Sequence, residues 1–329
     1  MTQRRHFILL ASLAALGGGM LQNTAAIAES AWPDRPIRFV VPYTPGGGTD
    51  TVTRHIAEKM ALDTKWNFVI ENKPGAGGNI GLDTVAKAKP DGYVIGMGQT
   101  ANIAINPALL PNMPFDSSKD LVPVALVAEQ PMVMVVRTES PWKSLADAIK
   151  AAKAKPGEIK QALAGTGTVG HLAGEMLARR AGIKILNVPY KGAAPAITDM
   201  LGGQTDYMFA TPQSVLGMIK GGRMRAIAVT SLKRLPILPS VPTVAESGYK
   251  DFSAVDWKVI VAPAGTPADI IKRMNAAVEK ALTQPAMLAT LSAEGSTPMG
   301  GSPEHAAKYI KAEQALWATV IREAGVKVE

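Results

Sequence analysis

Three glycine-rich turns hold the residues whose types and spacing could do chemistry: Gly46-Gly47-Gly48-Thr49-Asp50, Pro74-Gly75-Ala76-Gly77-Gly78-Asn79 and Gly165-Thr166-Gly167-Thr168-Val169-Gly170. Each joins a short apolar run to a stretch with helical spacing. Without Cβ atoms the backbone can approach a ligand closely, and a helix starting there aims its unpaired N–H groups and positive dipole end at it. Such a site suits an anion. Signals for catalysis are missing from the same sequence. It has no cysteine, which removes disulfides, thiol catalysis and thiolate metal sites together. His55, His171 and His305 lack metal-ligand spacing, no serine sits in G-x-S-x-G, and no carboxylates form a recognisable acid/base pair. The expectation is a binder of small carboxylates with no catalytic residue, metal or cofactor.

The third turn also spells the dinucleotide fingerprint after a strand and before a helix. An NAD-type oxidoreductase would need an acidic residue about 20 positions further on to hold the ribose hydroxyls. Asn187 stands there, followed by Pro189, Tyr190 and Lys191. His171 opens the following helix and either contacts a ligand or caps its own segment, the second being the commoner role of a lone histidine.

The elements that must position these turns follow from hydrophobic spacing. Strands are expected at Ile37 to Val41, Phe68 to Glu71 and Val94 to Met97, with helices at Asp50 to Leu62 and Asn79 to Ala88. The pattern then restarts. Strands at Leu121 to Ala128, Met132 to Val136, Gln161 to Ala164, Ile185 to Val188, Tyr207 to Ala210 and Ala226 to Val229 alternate with helices at Ser144 to Lys155, His171 to Ala181, Pro195 to Leu201 and Ser214 to Lys220. A strand at Val255 to Val261 and two helices close the chain, one striped by Ile270, Met274, Val278 and Leu282, the other by Ile310, Trp317 and Ile321. Two α/β units in series, each a mostly parallel sheet flanked by helices, are predicted. The turns then fall at carboxyl ends of parallel strands, where open α/β sheets bind ligands.

The first residues are basic, Phe7 to Leu21 are apolar, and Ala26-Ile27-Ala28 supplies a small-residue cleavage site, so residues 1–28 read as a secretory signal. Arg4 and Arg5 before His6-Phe7-Ile8 give it twin-arginine character, the general secretory route being the alternative. The formal charge of +8 loses two units with those arginines. The remaining basic residues, such as Lys143, Lys150, Lys153, Lys155 and Lys160, lie scattered on helical faces rather than in a nucleic-acid stripe. No nucleic-acid partner is expected, and the chain is expected to be a monomer.

Several blocks, in order along the chain, resemble the Bug family, the extracytoplasmic solute receptors of tripartite tricarboxylate transporters. They are Trp32-Pro33-Asp34-Arg35-Pro36, Val40 to Asp50 with Arg54, Glu71 to Gly81, Pro90-Asp91-Gly92-Tyr93, Gly165-Thr166-Gly167 with His171, Val188 to Gly192, Val241-Pro242-Thr243 and Ala262 to Pro267. The resemblance implies a two-lobed periplasmic binding protein of the type II, Venus-flytrap kind. Lobe 1 would hold residues 29–125 and 251–329, and lobe 2 residues 126–250. It also implies a carboxylate held through backbone groups and ordered waters. Carried over by position, the ligand-binding residues are Tyr43, Thr44, Gly47, Gly48, Thr49, Ala76, Gly77, Gly78 and Asn79, with Gly165, Gly167, Thr168, His171, Tyr190 and Lys191 opposite. Thr168 stands where relatives often have serine. Gly96-Met97-Gly98 is smaller than the usual end of that strand. The implied partners are the membrane permease subunits, or a sensor kinase if the closed form serves signalling. Candidate ligands span tricarboxylates, C4 dicarboxylates, acidic amino acids, nicotinate and aromatic acids. Stacking by Trp257, Tyr43 or Tyr190 would favour the last.

Overall fold

The computed structural model describes residues 32–190 and 192–327. The export signal and Lys191 lie outside the described residues. In chain order the elements are β1 (Ile37–Val41), α1 (Gly48–Thr64), β2 (Phe68–Asn72), α2 (Asn79–Ala86), β3 (Val94–Gln99), α3 (Asn106–Leu109) and β4 (Leu121–Pro131). There follow β5 (Val133–Arg137), α4 (Leu145–Ala154), β6 (Lys160–Leu163), α5 (Val169–Ala181), β7 (Leu186–Pro189), α6 (Ala193–Leu201), β8 (Tyr207–Ala210), α7 (Pro212–Lys220) and β9 (Met224–Val229). The chain ends with β10 (Val255–Pro263), α8 (Ala268–Leu282), α9 (Pro285–Ala293), β11 (Thr297–Pro298) and α10 (Pro303–Ala324).

Two sheets result, ordered β11-β4-β10-β3-β1-β2 and β7-β6-β8-β5-β9. Each combines parallel strands joined by covering helices with one antiparallel strand in its interior, β10 or β5, the first strand after the chain passes over from the other sheet; β11 adds an antiparallel edge to the first. In the first sheet β1 pairs parallel with β2 and β3, and β10 runs antiparallel between β3 and β4. In the second, β6 pairs parallel with β7 and β8, and β5 runs antiparallel between β8 and β9. Both sheets are therefore mixed. The inserted strands are antiparallel because the chain enters each from across the molecule rather than through a βαβ crossover.

The crossings are pinned together. Met132 separates β4 from β5 and donates its N–H to Thr230 Oγ1 at 2.8 Å, while Thr230 N–H donates back to Met132 O at 3.0 Å. Thr230 Oγ1 donates to Ala254 O at 2.5 Å, and Ala254 N–H donates to Thr230 O at 3.1 Å. A fully buried threonine thus ties both linking segments at one point. The apolar core continues across this junction: Val40, Leu126 and Trp257 of the first sheet and Met134, Phe209 and Ile227 of the second belong to one buried cluster.

The sequence reading of two closing helices is corrected to three. The nine residues Pro285 to Ala293 form α9, which buries only Met287 and Leu291. That one-turn spacing amid small apolar residues is too weak a stripe to stand out.

Helix α10 spans the two halves. Its Glu313 accepts from the indoles of Trp257 and Trp317 at 2.8 and 2.9 Å, and its Glu323 pairs with Arg179 of α5 at 2.9 Å. Burial pushes the Glu313 carboxyl up. Burial, and then the charge of Glu313, does the same to Glu129 on β4. A carboxyl raised in the native state binds its proton more tightly folded than unfolded, so stability falls as pH rises from the ordinary glutamate range through the native value. Glu129→Gln is expected to raise Tm at pH 8 and to flatten its decline between pH 5 and pH 8, as read by thermal unfolding at several pH values.

Candidate functional site

The first glycine turn is rigid because a carboxylate locks it from behind. Gly46 takes φ +79°, which only glycine adopts cheaply, and Gly47 caps α1 in an extended conformation with φ −77° and ψ 164°. Asp50 accepts from Gly46 N–H at 2.8 Å, Arg54 Nε at 2.9 Å and Asn72 Nδ2 at 2.9 Å. Burial opposes the charge, but these donors outweigh it and hold the Asp50 carboxyl below the usual range. Asn72 also donates to Tyr43 O at 2.9 Å, and Thr49 Oγ1 to Gln99 Oε1 at 2.5 Å. The first N–H groups of α1 have no acceptor within the helix, and Gly48 and Thr49, which carry two of them, line a cavity.

The second turn closes on its own neighbours. Gly77 and Gly78 have φ +65° and +94°, and a Cβ on Gly78 would sit 2.5 Å from Asn102 Nδ2 and 2.8 Å from Tyr43 Oη. Tyr43 Oη donates to Gly77 O and accepts from Asn102 Nδ2, both at 3.1 Å, and burial raises its pKa so that it stays a phenol. Asn79 is 1% exposed; its Oδ1 accepts from Asn106 Nδ2 at 2.9 Å and its Nδ2 donates to Met113 Sδ at 3.2 Å.

The third turn is held by the first turn of α5. Thr168 Oγ1 accepts from His171 N–H at 3.3 Å and donates to Gly165 O at 2.9 Å. Gly167 N–H donates to His171 Nδ1 at 3.1 Å, which makes Nδ1 an acceptor, and burial lowers the imidazole pKa to about 4. His171 is therefore a neutral brace inside the turn. Gly170 and Gly174 bring α5 close to the sheet, where Gln161 donates to Gly170 O at 2.9 Å and accepts from Tyr207 Oη at 2.8 Å. Asn187, standing where the fingerprint reading wanted an acid, is hydrogen-bonded to Glu175 of α5.

Two adjoining cavities lie between the sheets. One, about 360 Å³, is lined by Gly46, Gly47, Gly48 and Thr49 with Gln99, Gln130, Gln213 and Lys258. The other, about 170 Å³, is lined by Thr168, Val169 and Gly170 with Met132, Ala193 and Phe209. Gln99, Thr211, Ser214 and Asp256 line both, so they are two parts of one cleft. Thr211 is the N-cap of α7, so α1, α5 and α7 all present their amino ends to the same space. The lobes meet closely here: a Cβ on Gly48 would lie 3.5 Å from Gln213 Nε2.

Of the expected ligand residues, Gly47, Gly48, Thr49 and Thr168 line this cleft. Tyr43, Thr44, Ala76, Gly77, Gly78, Asn79, Gly165, Gly167, His171 and Tyr190 do not. Tyr190 instead donates to Asp199 Oδ2 at 2.8 Å, on α6. Sequence reasoning missed Gln99, Gln130, Asp256, Lys258, Thr211, Gln213 and Ser214. The pair Thr211-Pro212 was a legible N-cap and N1 signal. The pair Asp256 and Lys258 was not, because alternating charges in a strand read as a solvent face. A larger depression of about 520 Å³ between α3 and α10 shares no residue with the three turns.

A cleft between two α/β lobes, lined by helix amino ends and crossed by two linking segments, defines a solute-binding protein of the periplasmic type. The chain belongs to the tripartite tricarboxylate transporter receptor family, whose model matches residues 52–326. It is 37% identical to Protein BugT of Bordetella pertussis over 93% of this chain and 94% of that one. Two solved structures share the fold. R. palustris Rpa4515 with adipate is 34% identical, with TM-score 0.81 over 90% of this chain and 99% of that one. MatC from Rhodopseudomonas palustris with bound malate is 32% identical, with TM-score 0.76 over 88% and 99%. The family and its structural neighbours are solute-binding proteins rather than enzymes, which removes the oxidoreductase reading.

Proposed function

We propose that the protein is an exported receptor that captures a small organic carboxylate in the cleft and delivers it to a tripartite tricarboxylate-type permease. The lobes would exchange at Met132 and between Thr230 and Ala254, and the residues 1–28 would direct export to the periplasm. One observation carries the reading: three helix amino ends, from both lobes, converge on one cavity. Each contributes about 0.3–1 kcal/mol to an anion, and about 2 when partly buried. Backbone N–H bonds to a charged oxygen add about 1.5–3 kcal/mol apiece. A few of these, less the costs of ordering and closure, reach the roughly −8 kcal/mol of a micromolar receptor. Solved relatives with adipate and malate support a carboxylate ligand. Among the described residues no helix is long and apolar enough to cross a membrane.

Thermal unfolding against a panel of mono-, di- and tricarboxylates is expected to show stabilisation by at least one organic acid and none by NAD or NADP. Stabilisation by a nucleotide alone would overturn the proposal.

A further inference from the structure

A charged pair stands inside the cleft, on the face of β10 that looks toward the first glycine turn. Lys258 is 2% exposed, and its Nζ lies 3.3 Å from Asp256 Oδ2. Register places Lys258 beside Gln99 of β3 and Asp256 beside Gln130 of β4, so a band of polar side chains crosses the sheet. Both charged residues line the cavity that also contains Gly46 to Thr49.

As a structural element the pair is poor. Desolvating two charges is compensated only when their remaining donors and acceptors are also satisfied. Here Lys258 Nζ has a single hydrogen-bond partner among the described residues, with the Glu294 carboxyl near enough to feel its charge, and Asp256 Oδ1 is buried with no partner. The neighbouring amides do not finish the job: Gln130 Nε2 is spent on Glu294 O at 2.9 Å and Ser296 Oγ at 3.2 Å, and Gln99 Oε1 on Thr49. An incompletely bonded pair of opposite charges in a cavity wall keeps donors and acceptors available to whatever enters the cavity.

We infer that Asp256 and Lys258 select a carboxylate that carries a hydrogen-bond donor next to it, an ammonium or a hydroxyl. This rests on the carboxylate-receptor reading and narrows it. The carboxylate lies against the free N–H groups of α1 with Lys258 beside it, and the adjacent donor reaches Asp256. A plain dicarboxylate of the same length brings no donor, leaves Asp256 Oδ1 without a partner and meets its negative charge. The pair thus discriminates among ligands that the backbone amides hold equally well.

The test is calorimetric titration of the purified protein with two matched series: succinate, malate and aspartate; adipate and 2-aminoadipate. The expected result is that in at least one series the donor-bearing member binds 10-fold or more tighter than its plain counterpart, malate and aspartate separating hydroxyl from ammonium. Asp256→Asn is expected to collapse that preference to within about threefold. Succinate and adipate binding as tightly as their substituted partners in the unmodified protein would overturn the inference and leave the carboxylate reading intact, whether or not the variant folds. So would an Asp256→Asn protein that folds and loses affinity equally for every member. No binding by any member, with none by other carboxylates, would overturn both.

Discussion

Gly170→Ala is expected to destabilise the protein by about 3 kcal/mol, the upper end of the usual cost of overpacking. Gly170 sits in the first turn of α5, and a Cβ there would lie well inside van der Waals distance of Phe209 O, a backbone atom of β8 that cannot rotate away. Relief requires α5 to lift from the sheet, which also strains the bond from Gln161 Nε2 to Gly170 O. For a chain of this length that is a fall in Tm on the order of 5–10 °C. Gly217→Ala is the control. It lies inside α7 with open space around it, so it is expected to leave Tm unchanged or raise it slightly, because alanine is the better helix former. Equal effects of the two changes would mean that α5 is not packed on β8 as described.

Asp50→Ala is expected to cost both stability and ligand affinity. The carboxylate side chain is 4% exposed and supports three donors, so its removal strands Gly46 N–H, Arg54 Nε and Asn72 Nδ2 at once. Breaking such a buried, hydrogen-bonded pair costs about 3–5 kcal/mol, with the lower end apt here because Arg54 is half exposed. The turn loses the lock that aims its N–H groups, and affinity is expected to fall at least about 10-fold through lost preorganisation. The pH dependence identifies the cause. Asp50 has a depressed native pKa, so its contribution is complete above the unfolded value near 4 and disappears as pH falls through the lower native value. Unfolding of the variant and the parent is therefore expected to differ most near neutral pH and to converge as the solution is acidified below pH 4. A difference that persists undiminished at pH 2 would point to packing instead.

The sequence made the alternation of elements and the three turns legible, because strand runs and helix stripes follow local periodicity and a strand-to-helix glycine turn has few other uses. What it left illegible depends on which surface covers which. Asp256 and Lys258 alternate with Val255, Trp257 and Val259 as on a half-exposed strand, and only the closing of the second lobe turns their face into a cavity wall. His171, as a lone histidine, reads as the cap of its own segment, and only the resemblance places it at the ligand; its Nδ1 faces back to Gly167 N–H. Asn79 likewise follows a turn, yet Asn106 and Met113 consume its amide. The junction at Thr230 had no sequence signal, since a single threonine between strands does not announce hydrogen bonds to the backbone of two distant residues, Met132 and Ala254.

The central claim, that main-chain N–H groups of the first turn grip the ligand, is tested most directly by comparing Gly48→Pro with Gly48→Ala in calorimetric titration. Proline is well tolerated at the first position of a helix, and Gly47 already holds the extended conformation that a residue before proline needs. The substitution removes one N–H from the cleft and leaves the fold in place. Gly48→Ala keeps the N–H, and its Cβ meets Gln213 only at ordinary contact distance. Gly48→Pro is expected to weaken carboxylate binding by about 10- to 100-fold with an unliganded Tm close to the parent, while Gly48→Ala stays within about threefold. A well-folded Gly48→Pro protein that binds its carboxylate as tightly as the parent would contradict the account.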